Sequence, residues 1–169
     1  TPSLKNVVFG DKPLEIGESA FNGCRNLVDG PPVSTISIGK DCYWMCVNIT
    51  SVNIPNLESM GQCAFQRCYK LETINTGAVG LESFLECGAL RQVITGAKTI
   101  GNSAFEGCSR LESVTAPNLE EVGNSAFSQC GRLAKVPGNP TTIGNSAFMF
   151  SGVTELISQS VNVGVLAFW

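Results

Sequence analysis

The chain has 169 residues, 43% of them hydrophobic and only 15% charged, with a net charge of −3 and no histidine. Without a Lys/Arg run it lacks the electrostatic footprint of a nucleic-acid binder, and no apolar run approaches the ~20 residues that carry a helix across a bilayer. The missing histidine removes Cys-His and Ser-His-Asp catalysis, together with the commonest metal ligand.

Leu4 to Val8 reads as the tail of a repeat, so residues 1–13 are expected to be a partial first coil and the chain a piece of a longer array. From Ile16 onward a glycine recurs as Gly17, Gly39, Gly61, Gly80, Gly101, Gly123, Gly144 and Gly164, at spacings of 22, 22, 19, 21, 22, 21 and 20. Ahead of each stands Ile16, Ile38, Met60, Val79, Ile100, Val122, Ile143 or Val163. Four residues after each comes Phe21, Tyr43, Phe65, Phe84, Phe105, Phe127, Phe148 or Phe168. Seven of the nine Phe thus share one column, which chance would not arrange. A period near 20 residues means a solenoid.

Each coil reads as three pieces. Ser103, Ser125 and Asp41 sit where a cap would start a helical turn, and Ala-Phe is expected on that turn. A Cys column follows at Cys24, Cys46, Cys68, Cys87, Cys108 and Cys130, with Ser151 in the seventh coil. Leu27, Ile49, Leu71, Leu90, Leu111 and Leu133 come three residues later. A short strand comes next, with Leu111, Val114 and Ala116 inward and Thr115 outward. Identical strands on successive coils stack in parallel, ~4.8 Å apart. The expected fold is therefore an α/β solenoid resembling a leucine-rich repeat: about eight coils of 19–22 residues, each a short strand plus a short helical turn, with a parallel sheet on one face and residues 161–169 as a partial last coil. Pro31 and Pro32 in coil one, and Pro137 with Gly138 in coil six, are expected to break the sheet, because proline donates nothing to a ladder. Coil four is short, with Ser83 in place of Ala. Local drift or a ligand-directed feature would each account for these departures.

The repeated I-G-x-x-A-F-x-x-C-x-x-L-x-x-V, as in Ile100 through Val114, resembles the leucine-rich repeat superfamily and within it the BspA-like group, over residues 14 to 169. That resemblance implies a bacterial or protozoan surface or extracellular protein that adheres to host proteins, including extracellular-matrix and plasma proteins, or to other cells.

Little catalytic chemistry is written in the chain. The glycines follow the repeat rather than a phosphate-cradling motif. Glu82, Glu86, Glu112, Glu120 and Glu121 are spread over coil surfaces, so no enzyme and no cofactor is expected. The aromatic column coincides with the interior position and reads as core rather than a stacking platform. Asn48-Ile49-Thr50 forms a glycosylation sequon, although Ile49 is a core position. The column cysteines read as free buried thiols, since aligned neighbours near 4.8 Å are too far apart for bridges. Cys42 and Cys63 lie off the column with Cys46 and Cys68 nearby, which leaves three arrangements open: two more packed thiols, a Cys42–Cys63 disulfide, or a zinc site needing four thiolates in a tetrahedron.

The outward strand positions make the candidate binding face: Ser51, Asn53, Thr73, Asn75, Gln92, Ile94, Ser113, Thr115 and Lys135, extended by Val8, Pro137, Glu155 and Ile157. A neutral, small, polar row suits a protein partner better than DNA, whose binding needs phosphate neutralisation. Equally, any solenoid exposes side chains here. Three readings follow: an adhesion module with a protein ligand, a structural protein whose slab packs end to end with other chains, and an accessory domain of a larger enzyme.

Overall fold

The structure is a computed structural model describing residues 1–156 and 162–169. The chain winds into a parallel β-solenoid of about seven turns. In chain order its strands are β1 (Leu14–Ile16), β2 (Thr35–Ile38), β3 (Ser51–Ile54), β4 (Ser59–Met60), β5 (Thr73–Thr76), β6 (Gln92–Thr95), β7 (Thr99–Ile100), β8 (Ser113–Thr115), β9 (Glu121–Val122), β10 (Thr142–Ile143) and β11 (Asn162–Val163). Strands β3-β5-β6-β8 form the expected parallel sheet. A second side, not foreseen from the sequence, carries β1-β2-β4 and β7-β9-β10-β11 on the residues just before the glycines. Its two parts flank the short fourth coil, where a single bridge from Val79 to Ile100 stands in for a strand.

The expected helical turn does not form. Among the described residues the structure contains no helix. In its place the backbone after each glycine alternates in sign, with two positive-φ residues per coil four positions apart: Ser103 (φ 53°) with Gly107 (76°), Ser125 (54°) with Gln129 (62°), Asp41 (54°) with Met45 (58°). This alternation splits the hydrogen bonds. One set closes local three-residue turns, as when Ala104 N–H donates to Gly101 O (3.2 Å) and Cys108 N–H to Phe105 O (3.0 Å). The other set points along the stack. Ser103, Phe105 and Gly107 N–H donate to Asn124, Ala126 and Ser128 O of the next coil at 2.8, 2.8 and 2.9 Å. In a helical turn capped at Ser103 these amides would point along the helix axis instead of reaching the next coil one by one. The serines expected as helix caps instead occupy the left-handed position.

The glycine column has a steric cause. A Cβ on Gly101 would lie 2.6 Å from the backbone of Gly80 and Leu81 in the preceding coil, and the later coils repeat this close approach. The interior is a set of aligned columns. Ring centroids from Phe21 through Phe168 are 5.0 to 5.4 Å apart, the rings within 9° of parallel from Tyr43 onward and Phe21 inclined by 24°, with Phe9 closing the first end edge-on at 6.1 Å. That spacing lies in the range of favourable offset stacking. Ile100, Ala104, Phe105, Cys108 and Leu111 are fully buried, as expected.

The sheet of β3-β5-β6-β8 ends where proline was expected to end it: no strand is formed around Pro31 and Pro32, or around Pro137. Val114, at the last strand, is only partly covered, whereas Val52, Ile74 and Val93 in its column are buried.

A candidate binding face on the interrupted sheet

Two rows of side chains run across the four-stranded sheet. Register pairs Ser51 with Thr73, Thr73 with Gln92 and Gln92 with Ser113. It likewise pairs Asn53 with Asn75, Asn75 with Ile94 and Ile94 with Thr115. All eight project outward, Asn75 being half-buried and the rest exposed. Asn75 Nδ2 donates to Asn53 Oδ1 at 3.2 Å, which fixes both amides along the row. Ile94, 53% exposed, is the apolar member between them and Thr115. Alternate residues point inward and fill the core.

The ninth residue, Lys135, is not on this sheet, because coil six leaves the ladder before reaching it. Pro137, expected to face outward, is buried, since in coil six the strand alternation no longer holds. Gly138 follows at φ 61°, and a Cβ there would meet Ala116 O at 2.4 Å, so this end of coil six lies directly on coil five. Val8 is exposed outside any strand, Glu155 is exposed, and Ile157 falls outside the described residues.

Charged side chains border the rows. Arg91 Nη2 and Arg132 Nη1 both reach Glu112 Oε1, at 3.4 and 3.5 Å, while Arg67 Nε pairs with Glu86 Oε2 at 2.6 Å. Each pair links neighbouring coils, and exposed pairs of this kind contribute well under ~1 kcal/mol apiece.

The cysteines have a definite task in the scaffold. Cys46, Cys68, Cys87, Cys108 and Cys130 Sγ donate to the carbonyl of the column aromatic one coil back, Phe21, Tyr43, Phe65, Phe84 and Phe105, at 3.1 to 3.3 Å. An Ala or Val in that column could not supply this donor. Burial pushes the Cys87 and Cys130 thiols up to about 12, and raises Cys68 and Cys108 well above the ordinary value. Cys42 and Cys63 are both buried, and each is a free thiol rather than half of a disulfide. Cys63 Sγ donates to Glu82 Oε2 at 3.3 Å, and burial followed by that carboxylate raises it to about 12. Cys42, Cys46, Cys63 and Cys68 do not converge on a common point.

Sequence reasoning passed over one recurring side chain. Asn102, Asn124 and Asn145 Oδ1 accept the backbone N–H of Asn124, Asn145 and Val165 in the next coil, each at 2.8 Å. The threefold Gly-Asn step was the available signal.

A model of the BspA type leucine-rich repeat region matches residues 1–94 and 77–168. Among solved structures, the chain is similar to a leucine-rich repeat protein of T. pallidum, at 26% identity over 81% of this chain and 69% of that one, with a TM-score of 0.72. Leucine-rich repeat proteins of Eubacterium ventriosum (21% identity, 85% of this chain, TM-score 0.69) and Bacteroides ovatus (23%, 89%, 0.66) share the fold. This chain spans 42% and 49% of those two. No curated protein matches the sequence.

Proposed function

The chain belongs to the BspA-type leucine-rich repeat family, and from that membership we propose that it is a non-catalytic adhesion module of a surface or extracellular protein, recognising a protein ligand through the β3-β5-β6-β8 face. The observation that carries this reading is the pair of in-register rows. Apart from the Asn75–Asn53 hydrogen bond, their exposed hydroxyls, amides and single isoleucine take no part in holding the coils together, and they form a nearly neutral surface four coils wide. Such a surface offers hydrogen bonds and a central apolar contact without the phosphate-neutralising charge that nucleic acids require.

Surface plasmon resonance against a panel of purified extracellular-matrix and plasma proteins tests the proposal. Some member of the panel should bind, and Asn53→Lys, Asn75→Lys and Thr115→Lys together should abolish the signal. Glu121→Lys on the opposite sheet should leave it intact. Unchanged binding by the triple variant, or a panel without a binder, overturns the reading.

A second reading, end-on assembly, draws on the last described coil, where Val165, Leu166 and Trp169 remain exposed. Apolar surface of this kind favours contact with another chain. Sedimentation velocity of the wild type beside Trp169→Glu distinguishes it: self-association that disappears in the variant supports end-on packing.

A further inference from the structure

The interruption of the sheet at coil six has a geometry of its own. In the coils before it, the residue ahead of each strand donates across the stack: Glu72 N–H to Thr50 O, Arg91 N–H to Glu72 O and Glu112 N–H to Arg91 O, at 2.9 to 3.0 Å. The series stops there. Among the described residues no backbone N–H of coil six donates to Glu112 O. The segment from Ala134 to Val136 has separated from coil five, while the coils still meet at Gly138 and Ala116. Between them lies a cleft of about 300 Å³, lined by Val114, Leu133, Ala134 and Val136, with Glu112 and Lys135 at its rim. This is at the small end of ligand pockets and suits one side chain rather than a cofactor.

Three features describe the occupant. The walls are mainly aliphatic, which accounts for Val114 being less covered than its column neighbours. One wall is a strand edge beside Glu112 O, which accepts no backbone N–H from coil six among the described residues and is open to an extended backbone. The rim charge is asymmetric: Glu112 is already shared by Arg91 and Arg132, while Lys135 forms no ion pair among the described residues. On the coil-seven side, Glu155 stands beyond Lys135 across a separate cleft.

We propose that this cleft is the anchor of the binding face, taking an aliphatic side chain from an extended, acidic peptide segment whose carboxylate pairs with Lys135. The proposal rests on the reading of the β3-β5-β6-β8 face as a protein-binding surface and specifies the partner's chemistry there. It places the strongest contact at the sheet's broken edge, continuous with the rows that end at Ser113 and Thr115.

The test is an NMR titration of methyl-labelled protein with the hexapeptide acetyl-Thr-Asp-Leu-Glu-Val-Thr-amide and its counterpart with lysine at both acidic positions. The acidic peptide should shift the methyl signals of Val114, Leu133 and Val136 and bind about fivefold more tightly than the basic one. Lys135→Glu should reverse that preference. Ala134→Phe, at an exposed position on the mouth, should fill the cleft and abolish the shifts. Equal binding of the two peptides, no shift at these methyls, or unchanged binding by Ala134→Phe overturns the proposal. Shifts confined to Ile94 would remove the cleft and leave the face reading standing. That reading fails separately, when the triple lysine variant retains its protein ligand.

Discussion

Raising the pH should unfold this protein, because its core contains a column of buried thiols that resist ionisation while the chain is folded. Cys87 and Cys130 have folded values near 12 against an ordinary 9.0, mainly through burial. Below pH 9 the thiols are protonated in both states and their contribution is fully present. Above it the unfolded chain releases protons that the folded chain retains, so stability falls by about 1.4 kcal/mol per pH unit per thiol until the folded values are reached. At pH 10.5 the loss is about 2 kcal/mol for each, or about 4 kcal/mol for the pair. Cys68 and Cys108, raised in the same direction, steepen the decline. A domain's whole stability is roughly 5–15 kcal/mol, so urea midpoints followed by circular dichroism in the presence of reductant should collapse between pH 9 and 10.5. A variant isolates the thiol effect. Cys87→Ala should lower stability at pH 7 by about 1–3 kcal/mol for the lost hydrogen bond and the space the sulfur leaves, yet flatten the alkaline slope by one proton. Phe65 O keeps Cys68 N–H as a donor in that variant, so no buried carbonyl is orphaned. A midpoint that stays constant to pH 10.5, or a slope unchanged in Cys87→Ala, would refute the reasoning.

The remaining predictions concern the other columns. Phe105→Ala, in mid-stack and fully buried, should cost about 3–5 kcal/mol. Thr115→Ala on the outer row should change stability by less than about 0.5 kcal/mol, and equal losses in chemical denaturation would mean the inward and outward assignments are wrong. Gly101→Ala places a Cβ 2.6 Å from preceding backbone; it should destabilise by more than ~3 kcal/mol or prevent folding, as read by thermal melting. Gly107→Ala meets only ordinary contacts and should cost about 1 kcal/mol from its positive φ alone. Gln129→Gly, at the same position in the next coil, should raise the melting temperature. Alkylation in denaturant without reductant, followed by intact mass, should modify all eight cysteines.

What the sequence made legible is what stacking repeats. Phe, Cys, Leu and Gly each fall on a column because every coil occupies the same environment, so their burial and the two outward rows could be read from spacing. The path between Gly and Cys could not. Ala-Phe flanked by Ser has acceptable helix propensity, and only the presence of another coil turns Ser103, Phe105 and Gly107 N–H outward along the stack. Propensity is local and this preference is not. The second sheet escaped notice because two-residue strands such as Thr99–Ile100 carry no alternation to detect. At the candidate face, eight residues lay where the period placed them. Lys135 did not, because Pro137 was recognised as ending the sheet while the residues ahead of it were still counted on the row.

The same arrangement constrains where recognition can reside. A residue in a column is held by neighbours on both sides: a side chain replaced at Phe105 or Gly101 disturbs the coils before and after it. Outer-row residues are less constrained, the Asn75–Asn53 hydrogen bond apart, and Asn53, Asn75, Ile94 and Thr115 are in register yet chemically different. A uniform row would present the same contact at every coil and give a ligand no reason to prefer one register over another. Here the isoleucine, the paired amides and the break at coil six mark three distinct points along the axis. On the proposed reading, an extended partner would match them in only one alignment, since a shift by one coil would set Ile94 against the group that faces Asn75 and move the anchoring side chain off the cleft. The departures from the repeat, rather than the repeat itself, therefore supply the information by which a regular solenoid can select its ligand.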